Sequence, residues 1–281
     1  MALLSFNSRV VSGRVGHAAG QPALERLGHD VWPIDTTQLS NHPGHGVVRG
    51  GARTAEELAA LVDGVAALDR LAQCEAVFSG YLGSAGTAAV VADAVARVRM
   101  ARPGAQYICD PVLGDEAEGL YVPTALADAV ARELLPLADL LLPNAFELGH
   151  LTGAPVSGPA EAATAARQLG QDCAAAVVVT GLAGPGERLN LLVDGDNAWL
   201  VATPEVTTGV KGAGDLFAGI MVGRWLDGVT LDQAMADGAF VVQRVLEQTA
   251  AGAADELMLL QGLDDIQGLL GRRPARPFGG T

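Results

Sequence analysis

The feature that most restricts the fold is the alternation of short apolar runs with helix-patterned stretches along almost the whole chain. The strand-like runs are Ala2–Phe6, Asp30–Ile34, Ala76–Ser79, Gln106–Cys109, Asp139–Leu142, Ala175–Thr180, Leu189–Val193 and Ala198–Val201. Helical patterning covers Gly16–Leu27, Ala55–Leu71, Thr87–Met100, Thr124–Leu135, Ala160–Leu169, Ala213–Asp227, Leu231–Glu247 and Leu263–Leu270. Strand–helix alternation calls for βαβ crossovers, so the expected architecture is α/β: a central, mainly parallel sheet with helices on both faces. No repeat, low-complexity block or linker divides the 281 residues. The chain is therefore read as one domain, 1–281, with residues 271–281 a flexible basic tail carrying Arg272, Arg273 and Arg276.

In sheets of this kind, ligands gather beyond the carboxyl ends of the strands. The polar residues that directly follow an apolar run are Ser8, Asp35, Ser79, Asp110, Asn144 and Thr180. The sharpest local signal lies elsewhere, in Gly209-Val210-Lys211-Gly212-Ala213-Gly214-Asp215 leading into an apolar helix. Small residues at 212–214 let backbone N–H groups at the helix start converge on an anion, with Asp215 beside them. Phosphoryl transfer needs this pair: donors for the moving phosphoryl group and a carboxylate for the acceptor's proton. Taken alone, the motif fits equally an ordinary loop with an aspartate near an N-cap. It matches neither a Walker A loop nor a Rossmann G-x-G-x-x-G.

Two further motifs sit at strand ends. Asp110 follows Tyr107-Ile108-Cys109 and opens Asp110-Pro111-Val112-Leu113-Gly114-Asp115; Leu142-Pro143-Asn144-Ala145-Phe146-Glu147 closes another strand and starts a helix. Hard carboxylate oxygens at Asp110 and Glu147 suit Mg²⁺, which joins protein to substrate phosphates. The formal net charge of −14 repels both nucleic acid and ATP, so nucleic acid is excluded as a partner and a nucleotide site has to bring its own cations. Neither a secretory signal nor an apolar run of membrane-spanning length is visible, and no membrane role is expected. Three widely spaced cysteines, Cys74, Cys109 and Cys173, point to reduced thiols and a cytoplasmic protein.

These motifs, in this order, resemble the pyridoxal kinases of the ribokinase-like superfamily, from about Ser5 to Glu247. Ser8-Arg9-Val10-Val11-Ser12-Gly13-Arg14-Val15-Gly16 is similar to the family's substrate loop. Gln38-Leu39-Ser40-Asn41-His42 and Ser79-Gly80-Tyr81-Leu82-Gly83 narrow the likeness to pyridoxal kinases, and Gly212-Ala213-Gly214-Asp215 supports the superfamily. The resemblance implies ATP-dependent phosphorylation of the 5′-hydroxymethyl group of pyridoxal, with Asp215 as base beside the Gly212, Ala213 and Gly214 anion hole. It puts Ser8, Val15, Pro43 and Tyr81 on the acceptor. Asp110, Asp115, Tyr121, Asn144, Glu147, Thr180 and Lys211 fall on the ATP side, and Asp110 and Glu147 on the metal. It also implies Mg²⁺, a homodimer and a response to K⁺.

The chain departs from that pattern at Pro43, commonly Thr in the family, at Leu142, Thr in some members, and at Lys211, normally uncharged. The flap from Gly44 to Gly50 lacks the aromatic residues of the family. Two alternatives stay open: a related kinase acting on hydroxymethylpyrimidine or a sugar, and a non-catalytic ligand-binding relative. His42 and His45 form His-x-x-His. With no cysteine or third carboxylate placed near them in sequence, the pair is not read as a zinc site. His17, at an expected helix start, is read as a capping or packing residue.

Overall fold

A computed structural model describes residues 1–173, 175–264 and 266–279. In chain order the first half contains β1 (Ala2–Val10), α1 (His17–Arg26), β2 (Asp30–Leu39), β3 (Gly50–Ala52), α2 (Ala55–Ala67), β4 (Cys74–Ser79), α3 (Ala85–Ala101) and β5 (Gln106–Cys109). A small hairpin follows, β6 (Gly114–Asp115) and β7 (Gly119–Leu120), then α4 (Thr124–Ala129), β8 (Leu140–Leu141), α5 (Ala145–Thr152) and α6 (Pro159–Cys173). The remainder is β9 (Ala176–Gly184), β10 (Glu187–Asp194), β11 (Asn197–Pro204), α7 (Ala213–Leu226), α8 (Leu231–Ala251), α9 (Leu259–Asp264), α10 (Ile266–Leu269) and β12 (Arg276–Pro277).

Among the described residues, ten strands form one sheet in the order β12-β11-β10-β9-β8-β5-β4-β1-β2-β3. The stretch from β9 through β8, β5, β4 and β1 to β2 is parallel; β10, β11 and β12 on one edge and β3 on the other run antiparallel. Parallel strands are buried on both faces, and Leu3, Leu4, Phe6, Ile108, Leu140 and Leu141 show no exposure. One face packs on α2, α3 and α6, with Tyr107, Val91 and Ala166 in its core. The other packs on α7 and α8 through Phe78, Phe217, Met221 and Met235. No helix among the described residues is long and apolar enough to cross a membrane. All three cysteines are free thiols.

Several elements differ from the reading of the sequence, each for a local reason. Strands β1 and β2 continue past their apolar runs to Val10 and Leu39, because a register shift at Asn7/Ser8 lets polar residues pair on. Ser8 thus lies within a strand and not after one. The helix expected over Ala55–Leu71 starts on a Thr54/Glu57 capping box but ends at Ala67, and Arg70–Gln73 forms a separate short 3-10 turn. The helix expected over Thr124–Leu135 loses regularity after Ala129 and passes into a wide π turn over Val130–Leu134. In the basic tail, Arg276–Pro277 pairs with Trp199 and Leu200 of β11, and the Phe278 amide donates to the Ala198 carbonyl at 2.8 Å.

Candidate active site

The carboxyl ends of the parallel strands open into one cavity of about 590 Å³. Every residue that the motifs proposed for the site lines it except Ala213, which is the first residue of α7 between two lining glycines. All of these line the one cavity, and the resemblance would put Ser8, Val15, Pro43 and Tyr81 at an acceptor end and Asp110, Asp115, Tyr121, Asn144, Glu147, Thr180 and Lys211 at a nucleotide end. Gly212, Gly214 and Asp215 stand between them.

The junction is built by backbone geometry. Gly212 caps α7 in the left-handed region (φ 95°), and a Cβ there would collide with the Arg14 carbonyl oxygen. Only glycine brings α7 this close to the β1–α1 loop. Asp215 is thereby set in the first turn of α7, where the positive end of the helix favours a carboxylate. Its Oδ1 accepts a 3.1 Å bond from the Asn7 amide. Burial pushes the Asp215 carboxyl above its ordinary value, while the Gly16 N–H, Asn7 and His17 pull it back.

Asn7 was invisible in the sequence, since it sits inside an apolar strand. It is buried, and its Oδ1 accepts from the Ser8 and Tyr81 amides at 2.8 and 3.1 Å. One side chain therefore ties the acceptor end to Asp215. Gly80 makes room for it: a Cβ there would strike the Asn7 amide. His17 is a packing residue, as read: its Nε2 meets Ser5 Oγ at 2.9 Å and its Nδ1 meets Asp35 Oδ1 at 2.7 Å.

The nucleotide end is pinned more heavily. Asn144 and Glu147 form a capping box at the start of α5: Asn144 Oδ1 accepts from the Glu147 amide and Glu147 Oε2 from the Asn144 amide, both at 2.9 Å. The other oxygen, Glu147 Oε1, accepts from the Leu113 and Gly114 amides at 2.8 and 3.4 Å, and Asn144 Nδ2 donates to the Gly114 carbonyl at 2.7 Å. The loop after β5 is thus clamped to α5. The clamp also holds Val112 at φ 44°, a conformation that β-branched residues rarely adopt, so the strain is over-determined by its neighbours.

Three carboxylates share this floor. Burial first, then Glu147 and Asp215, push Asp110 well above the ordinary range, against a single backbone bond from Val112. Burial raises Glu147 to about 7 despite its three backbone donors. Buried carboxylates that repel one another and lack countercharge match a hard divalent cation. Asp110 has free lone pairs for direct ligation. Glu147, already bonded to three amides, fits contact through a water better than a direct bond. Among the described residues, no arginine or lysine bonds to Asp110 or Glu147.

Lys211 points instead at the β6–β7 hairpin, with Nζ at 2.7 Å from Glu118 and 3.4 Å from Asp115. Tyr121 leaves the same hairpin half-exposed, its amide donating to the Leu113 carbonyl at 3.1 Å. Thr180 bridges to Asn144, its amide donating to the Pro143 carbonyl at 3.0 Å. At the opposite end, Pro43 opens a short exposed turn, Pro43–His45, capped by His42. Burial and then the neighbouring His45 hold the His42 imidazole below its ordinary value.

A family model described as phosphomethylpyrimidine kinase matches residues 57–257. With the sheet order and the α7 junction, that match makes the chain a small-molecule kinase of the ribokinase-like fold. Pyridoxal kinase PdxY of Proteus mirabilis is 37% identical over 273 residues, covering 94% of each chain. The Rubrobacter xylanophilus PdxY is 36% identical, covering 98% of this chain and 96% of its own. The chain belongs to the pyridoxal kinase family. Among solved structures, pyridoxal kinase from Leishmania donovani in complex with ADP and pyridoxine superposes with a TM-score of 0.92 at 29% identity, covering 99% of each chain. The same enzyme with ADP and pyridoxamine gives 0.91.

Proposed function

We propose that this chain transfers the γ-phosphoryl group of Mg²⁺·ATP to the 5′-hydroxymethyl group of pyridoxal, with pyridoxine and pyridoxamine as further acceptors. The observation that carries the reading is the place of Asp215. It stands in the first turn of α7, beside the Gly212–Gly214 backbone, between a pocket end with few charges and one lined by Asp110, Asp115, Glu118 and Glu147.

The acceptor lies between Ser8, Val15, Pro43 and Tyr81, with its hydroxyl towards Asp215. Asp215 takes the hydroxyl proton as the oxygen attacks the γ-phosphorus and the bond to the ADP oxygen breaks, giving the 5′-phosphate and ADP. The raised position of the Asp215 carboxyl suits a proton acceptor more than a permanently ionised group would. The N–H groups of Gly212, Ala213 and Gly214 face the charge on the moving phosphoryl group. Asn144, Thr180, Tyr121 and Asp115 flank the nucleotide. Asp110 and, through water, Glu147 would hold Mg²⁺, which would supply charge neutralisation on the phosphates. Asn7 orients Asp215 and is a positioning residue.

A homodimer and a cytoplasmic setting complete the reading, supported by the family and by three unpaired thiols; light scattering of the purified protein tests the first. A coupled ADP-release assay over pyridoxal, pyridoxine, pyridoxamine, hydroxymethylpyrimidine and ribose tests the acceptor class. Turnover restricted to hydroxymethylpyrimidine would replace the proposed substrate. No turnover with any acceptor would leave a binding protein.

A further inference from the structure

The turn at the acceptor end carries a group of side chains that the phosphoryl transfer does not use. His42 and His45, three apart on the Pro43–His45 turn, meet Glu256 from the loop between α8 and α9. Their imidazole rings lie 4.0 Å apart, centre to centre. His42 Nε2 and His45 Nε2 each stand 3.5 Å from Glu256 Oε1. One ligand atom from each of the three residues lies within 4.8 Å of the other two. Sequence spacing could not supply this third ligand, because Glu256 is more than two hundred residues away from the histidines.

We propose that His42 Nε2, His45 Nε2 and Glu256 Oε1 form a binding site for a borderline divalent transition metal, best matched by Zn²⁺. The donor set is that of a two-histidine, one-carboxylate zinc site with its fourth position left to water. Tetrahedral ligands at about 2.0–2.1 Å from zinc are about 3.3 Å apart, so the 3.5 Å nitrogen–oxygen separations need to close by only a fraction of an ångström. Hard Mg²⁺ is a poor match for two imidazoles.

A second observation points to a ligand. His42 is 6% exposed, yet its Nε2 has no hydrogen-bond partner, and neither does Glu256 Oε1. Buried polar atoms left unpaired on both sides of one gap are costly unless something fills it. The other atoms of these side chains already serve to aim them. Glu256 Oε2 accepts from the Arg14 amide at 3.0 Å, which fixes the carboxylate and directs Oε1 at the histidines. Gly44 N–H donates to His42 Nδ1 at 3.2 Å, so Nε2 carries the proton in the metal-free protein. Metal binding at Nε2 moves that proton to Nδ1, so the long Gly44 contact is given up, a small loss beside the binding energy of a structural zinc site.

Filled, the site joins three pieces of chain that border the acceptor end: the turn at 42–45, the loop carrying Gly13 and Arg14, and the loop carrying Glu256. His42 also lines the cavity. The ion would act as a clasp, holding the turn down where Pro43 contributes no hydroxyl. That consequence rests on the kinase reading; the metal site does not.

The test uses chelator-stripped full-length protein without nucleotide. Co²⁺ is titrated as a spectroscopic stand-in and Zn²⁺ is followed by competition and elemental analysis. The wild type is expected to bind one equivalent with the visible absorption of tetrahedral Co²⁺ bound by nitrogen and oxygen, and Zn²⁺ is expected to displace it. His45→Gln and Glu256→Gln should each weaken Zn²⁺ binding by at least about 10–100-fold, the range known for lesser changes around metal sites. They should also abolish any rise in melting temperature that Zn²⁺ gives the wild type. Both variants are first compared with stripped wild type by circular dichroism and thermal melting, and Asp110→Asn serves as the control for the Mg²⁺ floor. One equivalent that survives in both variants but disappears in Asp110→Asn places the ion at the nucleotide end and overturns the site. So does a wild type that binds no Co²⁺ or Zn²⁺.

Discussion

The two ends of the cavity are held in opposite ways. At the nucleotide end, Glu147 alone accepts three backbone amides, the loop after β5 is clamped onto α5, and Val112 is kept in a strained conformation. At the acceptor end, the Pro43–His45 turn has no buried residue of its own, and Val47 beyond it is 76% exposed. Phosphoryl transfer gains from fixed donors and carboxylates, so the nucleotide end cannot drift without losing rate. An acceptor is recognised by fewer contacts carried on a loop, and loops tolerate substitution. The departures at Pro43, and in the flap that lacks aromatic residues, fall where the structure has least holding it.

The largest effect that would break this contrast lies at the junction between the two ends. Asp215→Asn keeps size and the contact with Asn7 but cannot take a proton, so kcat should fall by about 10²–10⁴-fold while ATP affinity changes little. Single-turnover phosphorylation of pyridoxal, with nucleotide binding measured separately, checks it. Turnover within a few-fold of wild type would remove Asp215 from the chemistry.

Next come the floor carboxylates, where function and stability oppose one another. Glu147 is held at about 7 against an ordinary 4.5, so between those values the folded protein binds more protons than the unfolded chain. Its contribution to stability is therefore fully present below the ordinary value and is lost as pH rises through about 7. The metal-free protein should melt at lower temperature at about pH 8 than at about pH 5.5, and Mg²⁺ should recover part of the difference. Asp110→Asn should raise the metal-free melting temperature at about pH 8, because it removes a buried charge, while increasing the Mg²⁺ needed for half-maximal rate at least about tenfold. Glu147→Gln should also raise the Mg²⁺ requirement more than the acceptor KM. It should destabilise as well, because its amide faces backbone donors that the carboxylate now satisfies. If both variants move only the acceptor KM, neither residue belongs to the metal side.

How far the sequence foretold these two ends follows from the reach of local patterns. Strand–helix alternation gave the parallel sheet because each run is long enough to declare itself. Asp110, Asn144, Glu147 and Asp215 were legible because each sits at a strand end or helix start, where spacing along the chain fixes position. Asn7 was missed because a buried asparagine within an apolar strand carries no local signal; only the approach of Gly80 and α7 reveals its partners. The structural work of Glu147 was likewise hidden, since its bonds to Leu113 and Gly114 span more than thirty residues. Glu256 lies beyond any spacing rule that could pair it with His42.

A smaller effect should sharpen the contrast at the acceptor end. Pro43 supplies neither a hydroxyl nor an N–H to the ring, and one neutral hydrogen bond is worth about 0.5–1.5 kcal/mol. Pro43→Thr should tighten pyridoxal binding by up to about tenfold with little change in kcat. Calorimetric titration of the variant with pyridoxal checks it, and unchanged or weaker binding would mean that the turn meets the ring by another route.

The smallest effect is expected at Lys211, which links the hairpin to the α7 junction. Its Nζ lies 2.7 Å from Glu118 and 3.4 Å from Asp115, and the pair is part exposed, with 43% of the lysine side chain and 51% of Glu118 open to solvent. Such an ion pair contributes only about 0–1 kcal/mol, so ATP phosphates arriving beside Gly212 can compete for the ammonium. Two outcomes follow from where the lysine then goes. If it leaves Glu118 for the phosphates, it stands in for part of the charge that a monovalent cation would otherwise supply, and wild-type activity depends weakly on K⁺. Lys211→Ala would then become more K⁺-dependent, losing a few-fold in rate at low K⁺ and recovering it as K⁺ rises. If it stays on the hairpin, the alanine variant titrates with K⁺ as the wild type does, and only the ATP KM shifts as the hairpin loosens. K⁺ titrations of both proteins at fixed ionic strength, with Na⁺ as the balancing ion, separate the two. A wild type that already needs K⁺ strongly would rule out the substitution of lysine for the ion.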